Sequence, residues 1–310
     1  MQKKWMKRKK KENNLLKQSH NVIHGDALST LQLLPSGSIH CAITSPPYYG
    51  LRNYGVAGQI GAEPTPQEYV ARLTEIFREL RRVLRDDGTF WLNLGDSYTS
   101  GNRTRRAPDK KNPIRAMSYR APTPSGLKEK DLIGIPWHVA FALQEDGWYL
   151  RSDIIWHKPN AMPESIKDRP TKAHEYVFLL TKSPRYFYNA DAVKEPEVCG
   201  RKRGPALHPC KDTNGNSGLS RRESTGFRNR RTVWTINTRP FKGAHFAVFP
   251  EDLVEPCLLA GYPVDGIVLD PLCSSGTVGV VAKKHDRSFI GVDLNADYCQ
   301  MAKQRIEKKL

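Results

Sequence analysis

The sequence predicts an α/β fold built on a doubly wound, mostly parallel sheet. Short apolar runs of strand length alternate with segments of helical periodicity along the chain. Several of these runs are followed by turns of small or rigid residues, which is where open α/β sheets carry ligand sites. With 310 residues the chain can bury a large core, and its six cysteines share no repeated spacing. That cysteine pattern favours reduced thiols over a disulfide framework.

The N-terminal half contains the clearest helix signal. Residues 40–44 form a short apolar run that meets Pro46 and indicates a buried strand. A helix is predicted over residues 66–85, because Thr65 and Glu68 can form a capping box and apolar residues recur on one face for more than four turns. Residues 86–88, Asp-Asp-Gly, are expected to end this helix and residues 89–94 to form the next strand.

The C-terminal half repeats the alternation of strands and helices. Two strands are predicted over residues 149–156 and 174–181. A helix at about 251–260 is expected to precede a strand at 267–270, followed by a helix at about 277–284, a strand at 288–293 and a helix at about 295–308.

The charge of the chain is concentrated in three segments. The net charge is +17 with a pI near 9.6, which indicates a polyanionic partner. Residues 1–20, 100–130 and 199–231 each carry a net charge of +7, so the rest of the chain is slightly acidic. The two internal segments lack apolar periodicity and mix Arg with aromatic residues, which favours phosphate and base contact over solvated loops. The candidates are Arg103, Arg105, Arg106, Arg201, Arg203, Arg221, Arg222, Arg230 and Arg231. For the tail of residues 1–20, a solvated segment is an equally good interpretation.

Other classes of protein are not favoured. No run of about 18 or more apolar residues exists, and the basic N-terminus lacks the apolar core of a signal peptide. The sequence is therefore interpreted as that of a cytoplasmic chain. No Cys-x₂-Cys pair is present to indicate zinc, so no metal is predicted.

A loop near the C-terminus has the features of a nucleoside site. Residues 274–277 are Ser-Ser-Gly-Thr, small enough for backbone N–H groups to approach a ligand at a helix N-terminus. Asp293 ends the following predicted strand, where a carboxylate can accept both hydroxyls of a ribose. The loop is neither a Walker A loop nor a G-x-G-x-x-G fingerprint, which favours a nucleoside cofactor over a dinucleotide.

The second signal is the sequence TSPPYYG at residues 44–50, directly after a predicted strand. By itself this sequence could be a rigid turn. It resembles the [D/S/N]-P-P-[Y/F/W] catalytic loop of DNA amino-methyltransferases, and its Ser form resembles the cytosine-N4 group. Residues 270–277, DPLCSSGT, are similar to the cofactor loop of that family, DPFxGSGT, with Leu272 and Ser274 replacing the usual Phe and Gly. The order of the loops resembles the β class, which implies a Rossmann-like methyltransferase fold with circularly permuted motif order.

The resemblance extends along most of the chain and implies a set of site residues. Residues 24–28 resemble the segment near the cofactor adenine, and residues 245–253 the segment lining its methionine end. The resemblance implies a basic tail (residues 1–20) and a methyltransferase domain (21–310) with DNA-recognition insertions at about 100–131 and 197–240. The implied contacts with S-adenosyl-L-methionine are Asp26, His245, Phe246, Asp270, Leu272, Ser274, Ser275, Gly276, Thr277 and Asp293. The implied catalytic residues are Ser45, Pro46, Pro47 and Tyr48.

The reaction implied is methylation of cytosine N4 in a base flipped out of double-stranded DNA. Ser45 Oγ and the Pro46 carbonyl would accept the hydrogens of the amine, and Tyr48 would stack on the base. The implied setting is prokaryotic or phage-encoded, and a cognate restriction endonuclease acting on the same site is a candidate partner.

Three alternatives stay open at this point. The same fold could methylate adenine N6, or it could be a catalytically silent DNA-binding scaffold. Methylation at cytosine C5 through Cys210 or Cys257 is the least favoured alternative, because neither cysteine follows a convincing strand.

The basic segments generate a prediction about salt. If they contact phosphates, DNA binding should weaken steeply with salt, with a log–log slope near −5 for about six contacts. Deleting residues 1–12 should flatten that slope slightly and leave the methylated sequence unchanged. Fluorescence anisotropy over a salt series measures the slope, and affinity that is insensitive to salt would contradict the assignment.

Overall fold

An eight-stranded sheet organises the chain in the computed structural model, which describes residues 20–52, 54–99, 123, 126–197, 226–239 and 249–308. Its strands are β1 (His20–His24), β2 (Ile39–Thr44), β3 (Leu84–Leu94), β4 (Tyr149–His157), β5 (His174–Thr181), β8 (Val233–Thr235), β9 (Ile267–Asp270) and β10 (Ser288–Asp293). A separate two-stranded sheet pairs β6 (Glu195–Pro196) with β7 (Phe227–Arg228). The helices are α1 (Ala27–Leu31), α2 (Pro66–Val83), α3 (Ile135–Glu145), α4 (Glu251–Gly261), α5 (Thr277–Lys284) and α6 (Ala296–Lys308).

The sheet is mostly parallel, as predicted. Its strand order is β1-β10-β9-β2-β3-β5-β4-β8. Strand β5 runs antiparallel to both of its neighbours, β3 and β4, and the other neighbouring pairs are parallel. The single reversed strand matters for the site, because its first residues lie at the edge where β2, β3 and β9 end.

Helices cover both faces of the sheet. Alternate residues of β3 divide between two cores: Phe90 packs with α2 and α3, while Trp91 packs with α4. The two cores therefore bury both sides of the central strands, as doubly wound sheets require. No helix within the described ranges has the length and apolar content needed to cross a bilayer.

Helix α2 forms where predicted but ends earlier. Its capping box is present, with Thr65 Oγ1 accepting from the Glu68 N–H and the Glu68 carboxylate accepting from the Thr65 N–H. The helix stops at Val83 rather than residue 85, because Leu84 adopts an extended backbone, is fully buried and pairs with Ile39 of β2. Strand β3 thus starts at residue 84, before the Asp-Asp-Gly segment expected to end the helix.

The strands and helices that were not predicted are β1, β6, β7, β8, α1 and α3. Helix α3 starts after Gly134, which has no side chain to supply a cap, and the N–H groups of Gly134 and Ile135 instead donate to Asp96 Oδ1, each at 3.0 Å. The side chain that caps this helix therefore comes from a residue distant in sequence.

The two loops predicted to carry the chemistry meet where the sheet changes winding direction. From β9 the chain crosses to β10 on one side, and from β2 it crosses to β3 on the other. Because β9 and β2 are neighbours, their carboxyl ends flank the crevice in which open α/β sheets bind ligands.

Candidate active site

A cleft of about 660 Å³ lies at the carboxyl ends of β2 and β9. It brings together residues that are far apart in sequence, from both predicted loops. The predicted site residues that line it are Asp26, Ser45, Pro46, Pro47, Tyr48, Leu272, Ser274 and Asp293. The cleft volume falls within the range of about 300–1,000 Å³ common for small-molecule and cofactor sites.

Four other predicted residues lie beneath the cleft. Asp270, Ser275 and Thr277 are almost fully buried, and Gly276 forms the N-cap of α5 with a left-handed backbone (φ 75°). Ser275 and Thr277 both accept hydrogen bonds from Arg305 Nη1, so α6 holds the loop from below. Their contact with a cofactor stays a prediction. His245 and Phe246 lie outside the described residues.

A buried hydrogen bond connects the two loops. Thr44 Oγ1, immediately before Ser45, donates to Asp270 Oδ1 at 2.6 Å, and the same oxygen accepts from the Leu272 N–H at 3.1 Å. Desolvation raises the pKa of Asp270 to about 7, against the lowering effect of these two hydrogen bonds. Asp270 Oδ2 is buried with no hydrogen-bond partner among the described residues.

One end of the cleft is organised by Asp293. Its Oδ2 accepts from the Ser274 N–H and its Oδ1 from the Asn295 N–H, both at 2.8 Å. Ser274 has a left-handed backbone (φ 51°), which explains why glycine suits this position in similar loops. Burial raises the pKa of Asp293 despite these two hydrogen bonds. The carboxylate therefore fixes this loop, and because each oxygen has a further lone pair it can also accept a hydrogen bond from a ligand in the cleft that it lines.

The other walls of this end were not anticipated. Tyr54 and Tyr298 line the cleft, with ring centroids 6.3 Å apart in an edge-to-face arrangement. Asp26 also lines it and accepts from the Ser29 N–H at 2.9 Å as the N-cap of α1.

The opposite end carries a cluster of polar side chains around Tyr48. Tyr48 Oη donates to Glu175 Oε2 at 2.7 Å, and it also lies 3.1 Å from Asn93 Oδ1. Glu175 forms an ion pair with Lys158, whose ammonium group lies 4.1 Å from the centroid of the Trp156 ring. These residues line the cleft beside Ser45, and sequence reasoning missed Glu175, Lys158 and Asn93.

The loop after β2, which the sequence predicts to be catalytic, is also held from beneath. The Pro47 carbonyl accepts from Tyr69 Oη at 2.9 Å, and Tyr69 is fully buried in α2. The ring of Tyr48 packs on Gly95, where a Cβ atom would lie 2.5 Å from Tyr48 Cε2. The position of the loop is therefore set by rigid elements on two sides.

The arginines predicted to contact DNA are only partly described. Arg231 Nε donates to Glu195 Oε1 at 2.7 Å, and the Arg230 guanidinium lies 4.5 Å from the centroid of the Trp234 ring. Both thus have intramolecular partners outside the cleft, and their DNA contact stays a prediction. Arg103, Arg105, Arg106, Arg201, Arg203, Arg221 and Arg222 lie outside the described residues.

The Rossmann-like fold and the comparisons with known proteins define an S-adenosylmethionine-dependent methyltransferase. The chain belongs to the N6/N4 DNA methylase family, whose sequence profile matches residues 39–304.

Relatives of known sequence agree with this assignment. The chain is 56% identical to the Type II methyltransferase M.Cfr9I of Citrobacter freundii over 286 residues, which cover 92% of this chain and 87% of that protein. It is 52% identical to M.SmaI of Serratia marcescens, covering 96% of this chain and 94% of that protein.

Solved structures share the fold at lower identity. One is a candidate DNA modification methylase from Thermus thermophilus complexed with S-adenosyl-L-methionine, with a TM-score of 0.59, 22% identity and 94% coverage of both chains. Another is PvuII DNA methyltransferase, with a TM-score of 0.64, 18% identity and coverage of 93% of this chain and 86% of that one.

The residues at the cleft fit S-adenosylmethionine. Its ribose hydroxyls need acceptors, which the Asp293 carboxylate offers beside the rings of Tyr54 and Tyr298. Leu272 and Ser274 line the same cleft as this carboxylate and Ser45. Among the described residues, no group of His, Cys, Asp and Glu is arranged to hold a metal ion.

The buried Asp270 predicts a pH dependence of stability. Its pKa is about 7 in the folded protein and about 4 when unfolded, so the folded state holds this proton more tightly. The resulting stabilisation is present below about pH 4 and is lost as the pH rises through about 7, at about 1.4 kcal/mol per pKa unit. Urea titrations should show this fall for the wild type relative to Asp270→Asn. A difference that does not vary with pH would contradict the assignment.

The carboxylate of Asp293 predicts an effect on cofactor affinity. Asp293→Ala should weaken S-adenosylmethionine binding by about 1–3 kcal/mol, because the ribose hydroxyls lose their acceptor and the Ser274 N–H loses its partner. Calorimetry measures the affinity, with Asp297→Ala, an exposed acid on α6 outside the cleft, as the matched control. Equal affinities for the two variants would rule out Asp293 as a cofactor ligand.

Proposed function

We propose that this DNA methyltransferase transfers the methyl group of S-adenosylmethionine to the exocyclic N4 of cytosine, in a base rotated out of double-stranded DNA. The observation that carries the proposal is the position of Ser45. Its hydroxyl lines the cleft directly after β2, between the loop after β9 and the polar cluster around Tyr48.

The amine of cytosine needs help from the protein, because its lone pair is delocalised into the ring. Two acceptors that draw on its hydrogens favour a pyramidal nitrogen with a localised lone pair. Ser45 Oγ and the Pro46 carbonyl are suited to this, since the Pro-Pro pair restricts the backbone between them. S-adenosylmethionine, when bound, supplies a methyl group made electrophilic by its sulfonium. The remaining contribution of the chain is to position the base and to hold acceptors ready for its amine.

The choice of cytosine N4 rests on the first residue of the catalytic loop. Ser45 stands where the resemblance associates serine with cytosine, and PvuII DNA methyltransferase, which shares the fold, is named as cytosine-N4-specific. Adenine N6 is the alternative within the same family.

Attack by cysteine on cytosine C5 finds no support at the cleft. Cys41, Cys257, Cys273 and Cys299 are buried, and burial raises the pKa of each thiol. None of the four lines the cleft, and Cys210 lies outside the described residues.

The biological setting belongs to the same proposal. The relatives named above are Type II methyltransferases from bacteria, which supports a prokaryotic, cytoplasmic enzyme with a cognate restriction endonuclease acting on the same DNA site. The basic segments at residues 100–130 and 199–231 are proposed to contact the DNA.

Replacing Ser45 tests the chemistry. Ser45→Ala removes one acceptor of the amine, so turnover should fall by about 10²–10³, the usual scale for one preorganised transition-state hydrogen bond. Affinities for cofactor and DNA should change little, because this contact strengthens as the nitrogen becomes pyramidal. Ser152→Ala, on β4 outside the cleft, is the matched control and should retain activity.

The product identifies the target atom. Mass spectrometry of nucleosides from methylated DNA should find N4-methylcytosine. N6-methyladenine would move the target to adenine, and 5-methylcytosine would overturn the mechanism.

A further inference from the structure

Three side chains form a chain of hydrogen bonds that starts at the cleft and has a fixed direction. Ser45 Oγ donates to Tyr48 Oη at 3.5 Å, and Tyr48 Oη donates to Glu175 Oε2 at 2.7 Å. Tyr48 comes from the catalytic loop, whereas Glu175 lies near the start of β5, the strand that runs against its neighbours. This series of hydrogen bonds thus connects the catalytic loop to a different strand of the sheet.

The carboxylate determines which way the hydroxyl hydrogens point. An ionised carboxylate only accepts hydrogen bonds, so the hydroxyl hydrogen of Tyr48 is directed at Glu175. The oxygen of Tyr48 can then accept, and the hydroxyl hydrogen of Ser45 is directed at it. Ser45 Oγ has only lone pairs left for a third group, which is what the hydrogens of an amine require.

The neighbours of this chain are compatible with that direction. Asn93 Nδ2 donates to Glu175 Oε2 at 3.3 Å and to the Tyr176 carbonyl at 3.0 Å, which turns Asn93 Oδ1, another acceptor, toward Tyr48. Lys158 pairs with the second oxygen of Glu175 and compensates its charge. Burial first, and then the charge of Glu175, raise the pKa of Tyr48 well above its ordinary value, so its hydroxyl keeps a hydrogen to donate.

We propose that Glu175 is a positioning residue that fixes the hydrogen-bond direction of Tyr48 and Ser45, so that Ser45 presents an acceptor to the amine of the target base. The inference rests on the proposed role of Ser45 and extends it to a residue that does not itself touch the base. Glu175 acts through Tyr48, and its side chain is mostly buried at the cleft (15% exposed).

The isosteric variant Glu175→Gln tests the donor-to-acceptor direction of these hydrogen bonds. The amide of glutamine can donate to Tyr48 Oη, which would turn the hydroxyl of Tyr48 toward Ser45 and make Ser45 a donor. Single-turnover methylation should fall roughly 10–100-fold, within the scale of a lost preorganised hydrogen bond. Dissociation constants for cofactor and DNA should stay within about twofold, because the role proposed for this carboxylate is exerted through Tyr48 and includes no contact with either ligand.

A double-mutant cycle separates this role from a structural one. In a Tyr48→Phe background the series of hydrogen bonds is already interrupted. Glu175→Gln should therefore cause no further loss of methylation rate. A structural ion pair with Lys158 would be lost equally in both backgrounds, and additive effects would therefore overturn the proposal. Glu79→Gln, which breaks the ion pair with Arg82 on α2, is the matched control and should leave turnover unchanged.

A second variant distinguishes the loss of this positioning role from a loss of folding. Glu175→Asp keeps an acceptor-only carboxylate, so it should retain more activity than Glu175→Gln, and thermal unfolding of both variants reports their stability. The opposite order of activity would overturn the proposal.

If Ser45→Ala lowers turnover but Glu175→Gln does not, the positioning role fails and the proposed function stands. If Ser45→Ala is fully active, the role of Ser45 fails and the positioning role of Glu175 fails with it.

Discussion

The hydrogen bond between Thr44 and Asp270 sets the geometry on which the site depends. Both residues end neighbouring strands at the point where the sheet changes winding direction, and each is followed at once by one of the two loops that form the cleft. Burying a carboxylate is costly unless it finds donors, and Thr44 and the Leu272 N–H both donate to Oδ1 of Asp270, while its Oδ2 has no partner among the described residues. The loops after β2 and β9 are thus placed relative to each other by the sheet, before any ligand arrives.

The loop after β2, which contains Ser45 and Tyr48, is held in the same way by the strands and helices around it. Tyr69 of α2 donates to the Pro47 carbonyl, Gly95 after β3 leaves room for the ring of Tyr48, and Glu175 of β5 accepts from its hydroxyl. Each support comes from an element packed in the sheet or in the core against it. Groups that must stabilise a transition state are most effective when they need no rearrangement, and these contacts hold in place the groups that are proposed to do so.

Much of the fold could be predicted because its signals are local. The capping box at Thr65 and the apolar run of β5 are each made by residues close together in sequence. The helix and the strand that they predict both form as expected. The end of α2 could not be predicted from the helix pattern because a strand partner decides it, and the cap of α3 could not because it is the side chain of Asp96. In both cases a contact between segments distant in sequence overrides or replaces the local pattern.

The same distinction separates the anticipated part of the site from the rest. Ser45 and Asp293 belong to contiguous motifs at strand ends, so their place at the cleft follows from the sequence and the winding of the sheet. Glu175 begins a strand, and a residue at the start of a parallel strand would lie at the opposite edge of the sheet. Only the reversed direction of β5 brings its carboxylate to the edge where β2 and β3 end. An apolar run does not reveal the direction in which it will pair, so the polar partner of Tyr48 becomes visible only when the sheet is assembled.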